Sequence, residues 1–86
     1  MFDVRFTPDA HASYQDADPP LTRKLERCFA QLERDPIQHP NVKRLKGRMS
    51  SLFRYRVGEW RVVYEIDQTR HVVLVLIIAH RRDVYE

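Results

Sequence analysis

The sequence predicts an α+β fold, in which an N-terminal strand precedes a helical hairpin packed on a small, antiparallel-dominated sheet. Apolar and polar residues alternate at the start of the chain and again over its C-terminal half, as in half-buried strands. Between these parts, apolar residues recur at helical spacing. No linker or change of composition divides the chain, so we expect a single domain over residues 1–86.

The composition is that of an ordinary soluble protein, with 43% hydrophobic and 31% charged residues. The N-terminus has no basic stretch followed by an apolar run, and the aliphatic run 72–79 is too short to span a bilayer. A single cysteine excludes an internal disulfide. We therefore expect a cytoplasmic protein that does not contact membranes. Its net charge of +3 favours polyanions or an acidic partner.

Two helices are predicted in the first half of the chain. Thr7-Pro8-Asp9 starts the first helix with a hydroxyl cap, a proline at the first helical position and an acid in the first turn. Asp18 ends this helix region and caps the second helix, whose apolar stripe faces a core. Residues 36–51 read as a loop with a basic segment.

Three strands are predicted in the second half, over residues 52–57, 60–66 and 72–79. Gly58-Glu59 suits a two-residue hairpin turn that needs glycine first. The last strand is apolar on both faces, which predicts a place in the middle of the sheet.

The predicted hairpin brings arginines together. If Val57 pairs with Trp60, then Arg56 pairs with Arg61, and Arg54 lies on the same face. Like charges directly opposite are destabilising by up to about 1 kcal/mol, and an anion bound between them relieves the repulsion. Arginine suits phosphate through its planar fork of donors. The alternative is a solvated outer face whose arginines cover apolar neighbours.

The sequence does not favour a cysteine nucleophile or a metal site. Cys28 lies on the apolar stripe of the second helix, which predicts a buried side chain rather than a nucleophile. His11, His39 and His71 lack metal-ligand spacing, so we expect no metal and no cofactor.

Three linked pieces resemble the RelE/ParE superfamily of bacterial toxins from toxin–antitoxin modules: "LKG" at residues 45–47, "RYRVGEWRVVYEI" at 54–66 and "HRRDVY" at 80–85. The resemblance implies a RelE-like fold of a helical hairpin on a small sheet. Its RelE branch consists of ribosome-dependent endoribonucleases that cut mRNA in the decoding site. The ParE branch inhibits DNA gyrase, and an inactive antitoxin-binding relative is a third alternative.

The resemblance also implies site residues. The catalytic positions of the RelE branch fall on Arg61, Arg81 and Tyr85, and His80 stands where many members place a basic residue. RNA phosphates would be bound by the basic hairpin positions and the preceding basic segment, namely Arg54, Arg56, Lys43, Arg44, Lys46 and Arg48. The mechanism implied is metal-independent attack by the RNA 2′-OH. Whether His80 or Tyr85 transfers the proton stays open. The implied partners are mRNA, the ribosome and a cognate antitoxin.

Overall fold

The computed structural model describes residues 1–47 and 51–83, and packs two helices on one face of a five-stranded sheet. This arrangement confirms the predicted α+β fold. Within the described residues, no helix has the length and apolar character needed to cross a membrane. The elements in chain order are β1 (Asp3–Phe6), α1 (Pro8–Asp16), α2 (Pro19–Arg34), β2 (Val42–Arg44), β3 (Phe53–Val57), β4 (Trp60–Asp67), β5 (Val72–His80) and a 3₁₀ turn (Arg81–Asp83).

Both helices begin where the capping signals predicted. The Thr7 hydroxyl accepts a hydrogen bond from the Ala10 N–H at 3.2 Å, and the Asp18 carboxylate accepts one from the Leu21 N–H at 2.9 Å. A proline follows each cap, where its missing N–H costs nothing. The two caps set the hairpin that lies against the sheet.

The core lies between α2 and the sheet. Leu25, Cys28 and Leu32 of α2 are buried against a layer of sheet residues that includes Tyr64 and Val75. The Tyr64 hydroxyl donates to the Pro36 carbonyl at 2.7 Å, so the polar tip of this buried ring has a partner. These residues fix one face of the sheet to the helices.

The sheet order is β1-β5-β4-β3-β2. β5 pairs in parallel with β1 and antiparallel with β4, so it is an interior strand, as its apolar composition predicted. Its register against β4 shifts by one residue between Val63 and Tyr64, which marks a β-bulge. Beyond the bulge, Ile78 is 4% exposed and Ile77 is 46% exposed. The bulge therefore exchanges the faces of the last residues of β5.

The prediction of a loop over residues 36–51 was wrong for Val42–Arg44, which form the edge strand β2. β2 pairs antiparallel with β3, with Lys43 opposite Arg54. A strand of three residues, two of them basic, carries no alternation that periodicity could detect. It exists because β3 offers it a partner.

Candidate functional site

The β3–β4 hairpin has the predicted register. Val57 pairs with Trp60 and Arg56 pairs with Arg61. Gly58 has a φ of +58°, whereas no positive φ falls on Glu59. This pattern is that of a hairpin turn with glycine at its first central position, and it aligns the two arginines.

Four basic side chains project from the sheet face opposite the helices. Their neighbours along β3, Tyr55 and Val57, are buried in the core, so alternation turns the arginines of that strand outward. Two like-charge pairs lie across adjacent strands, Arg56 with Arg61 and Lys43 with Arg54. We call this set the basic face: Lys43, Arg54, Arg56 and Arg61.

Asn41 ties the loop before β2 to the arginines of β3. Its carbonyl accepts hydrogen bonds from Arg54 Nη1 at 3.1 Å and from the Arg56 N–H at 3.0 Å. Its side-chain amide donates to the Arg56 carbonyl at 3.1 Å. Sequence patterns do not single out Asn41, because one asparagine in a loop gives no positional signal. Its contacts orient the arginine strand of the basic face.

The guanidinium of Arg61 folds back on the hairpin turn. Arg61 Nη1 donates to the Gly58 carbonyl at 2.9 Å and to the Trp60 carbonyl at 3.0 Å. These two contacts orient the Arg61 guanidinium, which carries five N–H donors in a fixed fork.

Arg81 lies beside the same turn. Its Nε is 2.7 Å from Oε2 of Glu59, and its backbone N–H donates to the Glu59 carbonyl at 2.8 Å. Glu59 was expected only to form the hairpin turn, although it is the one acid between Lys43 and Arg61. A single acid among so many basic residues indicates a specific contact with one of them.

His80 lies on the helix side of the sheet, opposite the basic face. His80 pairs with Trp60 and packs edge-on against its ring at 5.7 Å between centroids, and Trp60 belongs to the helix side of the sheet. The bulge in β5 is the physical cause, because it moves His80 to the other face. His80 Nδ1 accepts a hydrogen bond from the Arg82 N–H at 3.4 Å.

The remaining predicted site residues lie away from the basic face or outside the described part of the chain. Arg44 lies on the helix side of the sheet, with its guanidinium carbon 5.3 Å from the centre of the Phe53 ring, and so stands apart from the basic face. Lys46 is exposed just after β2. Arg48 and Tyr85 lie outside the described residues.

Cys28 is placed as predicted, within the core and 1% exposed. Burial raises the pKa of its thiol far above the ordinary value, which keeps the sulfur protonated and unreactive. Over residues 1–47 and 51–83, no three His, Cys, Asp or Glu side chains gather where a metal ion could bind.

The arrangement can bind a phosphate diester by charge and by directed hydrogen bonds. The basic face supplies several cations at cross-strand distances of roughly 5 Å, which matches the spacing between donors around one or two phosphates. Arg81, which like Arg61 contacts the Gly58–Glu59 turn, brings one further guanidinium to the hairpin end of the sheet. Such groups stabilise negative charge that develops on phosphate oxygens.

Comparison with known proteins places the chain among toxins. Residues 4–85 match a family model described as the ParE toxin of the type II toxin–antitoxin system. A relative named Toxin RelG, from Mycobacterium tuberculosis, is 32% identical over 85 residues, which cover 98% of this chain and 95% of that protein.

Similar solved structures also come from toxin–antitoxin systems. The chain matches a protein of the toxin–antitoxin complex RelBE2 of M. tuberculosis with a TM-score of 0.80 and 30% identity, covering 93% of this chain and 98% of the other. An archaeal RelE–RelB complex from Pyrococcus horikoshii gives a TM-score of 0.81 at 22% identity, covering 96% and 98%. The second match, at this identity, speaks for the fold alone.

Proposed function

The chain belongs to the RelE/ParE superfamily of toxins from type II toxin–antitoxin modules, and from that premise we propose that it cleaves mRNA on the ribosome and so inhibits translation. The observation that carries the proposal is the pairing of Arg56 with Arg61 across the hairpin, flanked by Arg54 and Lys43 on one face. A gyrase inhibitor has no evident need for two adjacent like-charge pairs that an RNA phosphate would neutralise.

The proposed reaction needs no metal. The 2′-oxygen of a ribose attacks the adjacent phosphorus, the bond from phosphorus to the 5′-oxygen breaks, and the products are a 2′,3′-cyclic phosphate and a 5′-hydroxyl. Negative charge grows on the non-bridging oxygens as the new bond forms. Arg61 and Arg81 would donate hydrogen bonds to those oxygens, while Arg54, Arg56 and Lys43 bind the neighbouring phosphates.

One proton must leave the 2′-hydroxyl and one must reach the departing 5′-oxygen. Arginine serves poorly, since its pKa exceeds 12. The position of His80 beside Trp60, on the helix side of the sheet, favours Tyr85 as the proton-transfer group. Nearby guanidinium groups would lower the pKa of a tyrosine by favouring its phenolate. Lys46 and Arg48 would extend the contact to RNA.

The proposed partners are a cognate antitoxin, the ribosome and mRNA, met in the cytoplasm. One of the similar structures, at 30% identity, is described as a toxin–antitoxin complex, which supports the first partner. The net charge of +3 suits an acidic antitoxin that covers the basic face and so blocks RNA.

Gyrase inhibition is the second candidate, because the matching family model is named for ParE. Pulse labelling after induction of the toxin without antitoxin separates the two. We expect protein synthesis to fall before DNA synthesis. If DNA synthesis falls first, together with a loss of negative supercoiling, the gyrase function replaces the one proposed.

A further inference from the structure

We propose that Glu59 is a positioning residue that holds the guanidinium of Arg81 in the orientation in which it meets the scissile phosphate; this rests on the proposed RNA cleavage. Two contacts join the residues, one between side chains at 2.7 Å and one between backbones at 2.8 Å. The backbone contact continues the β4–β5 ladder one step beyond the pair of Trp60 and His80. The position of Arg81 is therefore set by the sheet and its orientation by the carboxylate.

Stability does not account for this ion pair. The side chains of Arg81 and Glu59 are 58% and 60% exposed, and pairs that exposed contribute little to folding. A carboxylate at this end of the sheet also repels an approaching polyanion. Glu59 would thus weaken RNA binding while it holds Arg81 in place. This combination is expected of a residue whose role is to orient the Arg81 guanidinium.

The contact leaves Arg81 competent to bind phosphate. Guanidinium has five N–H donors in a fixed fork, and the 2.7 Å contact is made at Nε. Fixing one edge of the fork lowers the entropy lost when the other donors engage phosphate oxygens. The adjacent Gly58 carbonyl holds Arg61 in the same manner, at 2.9 Å. One hairpin turn thereby orients both arginines.

The test compares Glu59→Gln, which removes the charge and keeps the shape, with wild-type protein. Asp83→Asn is the matched control, because Asp83 is an exposed acid in the 3₁₀ turn that contains Arg81. Affinity for a programmed ribosome and the single-turnover rate of mRNA cleavage are measured for each protein. For Glu59→Gln we expect unchanged or tighter binding and cleavage slower by about tenfold. Asp83→Asn should leave the cleavage rate unchanged.

A double-mutant cycle with Arg81→Ala completes the test. If Glu59 acts through Arg81, Glu59→Gln causes no further loss of rate once Arg81 is alanine. Additive losses would overturn the proposal. Faster cleavage with tighter binding would also overturn it, because Glu59 would then only repel RNA. So would a lowered melting temperature with parallel losses of binding and rate, which would indicate a structural role.

A second readout is independent of cleavage. The Nε–Hε group of Arg81 can be followed by ¹H–¹⁵N NMR, and its heteronuclear NOE reports the mobility of the guanidinium. We expect this mobility to rise in Glu59→Gln and to stay unchanged in Asp83→Asn. Equal mobility in all three proteins would overturn the positioning role even if the protein cleaves no RNA, whereas lack of cleavage by the wild type defeats only the proposed function.

Discussion

Arg56 and Arg61 lie directly opposite each other on β3 and β4, and one cross-strand pair separates them from the Gly58–Glu59 turn. Cross-strand partners on one face have Cβ atoms roughly 5 Å apart, so the two positive charges repel each other. Lys43 and Arg54 repeat the arrangement on the neighbouring strands. The concentration of positive charge on the hairpin lowers the free energy of unfolding, and a bound phosphate would reduce the repulsion.

Arg61→Ala should abolish toxicity and leave the fold intact. The substitution relieves the repulsion from Arg56 but removes two hydrogen bonds to turn carbonyls, so the free energy of unfolding should change by less than about 1 kcal/mol. Growth on induction and thermal melting measure the two effects. Arg70→Ala is the matched control, since it removes an exposed arginine from the turn between β4 and β5, far along the chain from the hairpin turn, and should remain toxic. Early melting of Arg61→Ala would show that Arg61 is structural.

Tyr85→Phe separates proton transfer from stacking. If the hydroxyl transfers a proton, its loss should slow single-turnover cleavage on the ribosome by about 10²-fold or more, with little change in binding. If the ring only stacks on a base, Tyr85→Phe should cleave nearly as fast as wild type, and only Tyr85→Ala should be inactive. Cleavage at the wild-type rate by both variants would remove Tyr85 from the mechanism.

Tyr64→Phe should destabilise the protein by about 1–3 kcal/mol at neutral pH, because the Pro36 carbonyl loses its buried donor. Urea unfolding monitored by circular dichroism gives this value. Toxicity should persist at temperatures where the variant is folded, since Tyr64 faces the core and not the basic face.

The same tyrosine predicts a pH dependence. Burial, followed by smaller effects of Cys28 and other neighbours, raises the pKa of Tyr64 above its ordinary value near 10. The folded state then retains a proton that the unfolded state releases, so this contribution to stability is complete below pH 10 and is lost as pH rises beyond it. The fall in stability between pH 10 and 11.5 should be shallower for Tyr64→Phe. Equal slopes would show that Tyr64 does not contribute.

Cys28 should behave as a core residue. A thiol reagent such as Ellman's reagent should not modify it in the native protein and should react at once after unfolding, because the side chain is 1% exposed. Cys28→Ala should remain toxic while losing about 1–2 kcal/mol of stability. Loss of toxicity in a folded Cys28→Ala protein would instead give the thiol a role in function.

The sequence predicted the features that depend on local chemistry. The caps at Thr7 and Asp18 and the register set by Gly58 follow from short-range rules, and each was confirmed. From that register the pairing of Arg56 with Arg61 follows from the sequence alone.

Features that depend on distant partners were missed. β2 forms because β3 accepts it, and its three residues carry no periodic signal. The bulge that moves His80 beside Trp60 is invisible in β5, since a strand that is apolar on both faces has no alternation to interrupt. Glu59 contacts Arg81 only after β4 and β5 pair. Asn41 contacts the arginines of β3 only after the chain before β2 has come to lie beside β3.

The measurement that tests the proposed function most directly is a cell-free translation reaction to which the purified protein is added, with the ends of the mRNA mapped by primer extension. We predict new 5′ ends inside the translated region that depend on ribosomes and are absent when Arg61→Ala replaces the wild type. Intact mRNA with undiminished translation, from a protein that still stops growth, would contradict the assignment as an mRNA endoribonuclease.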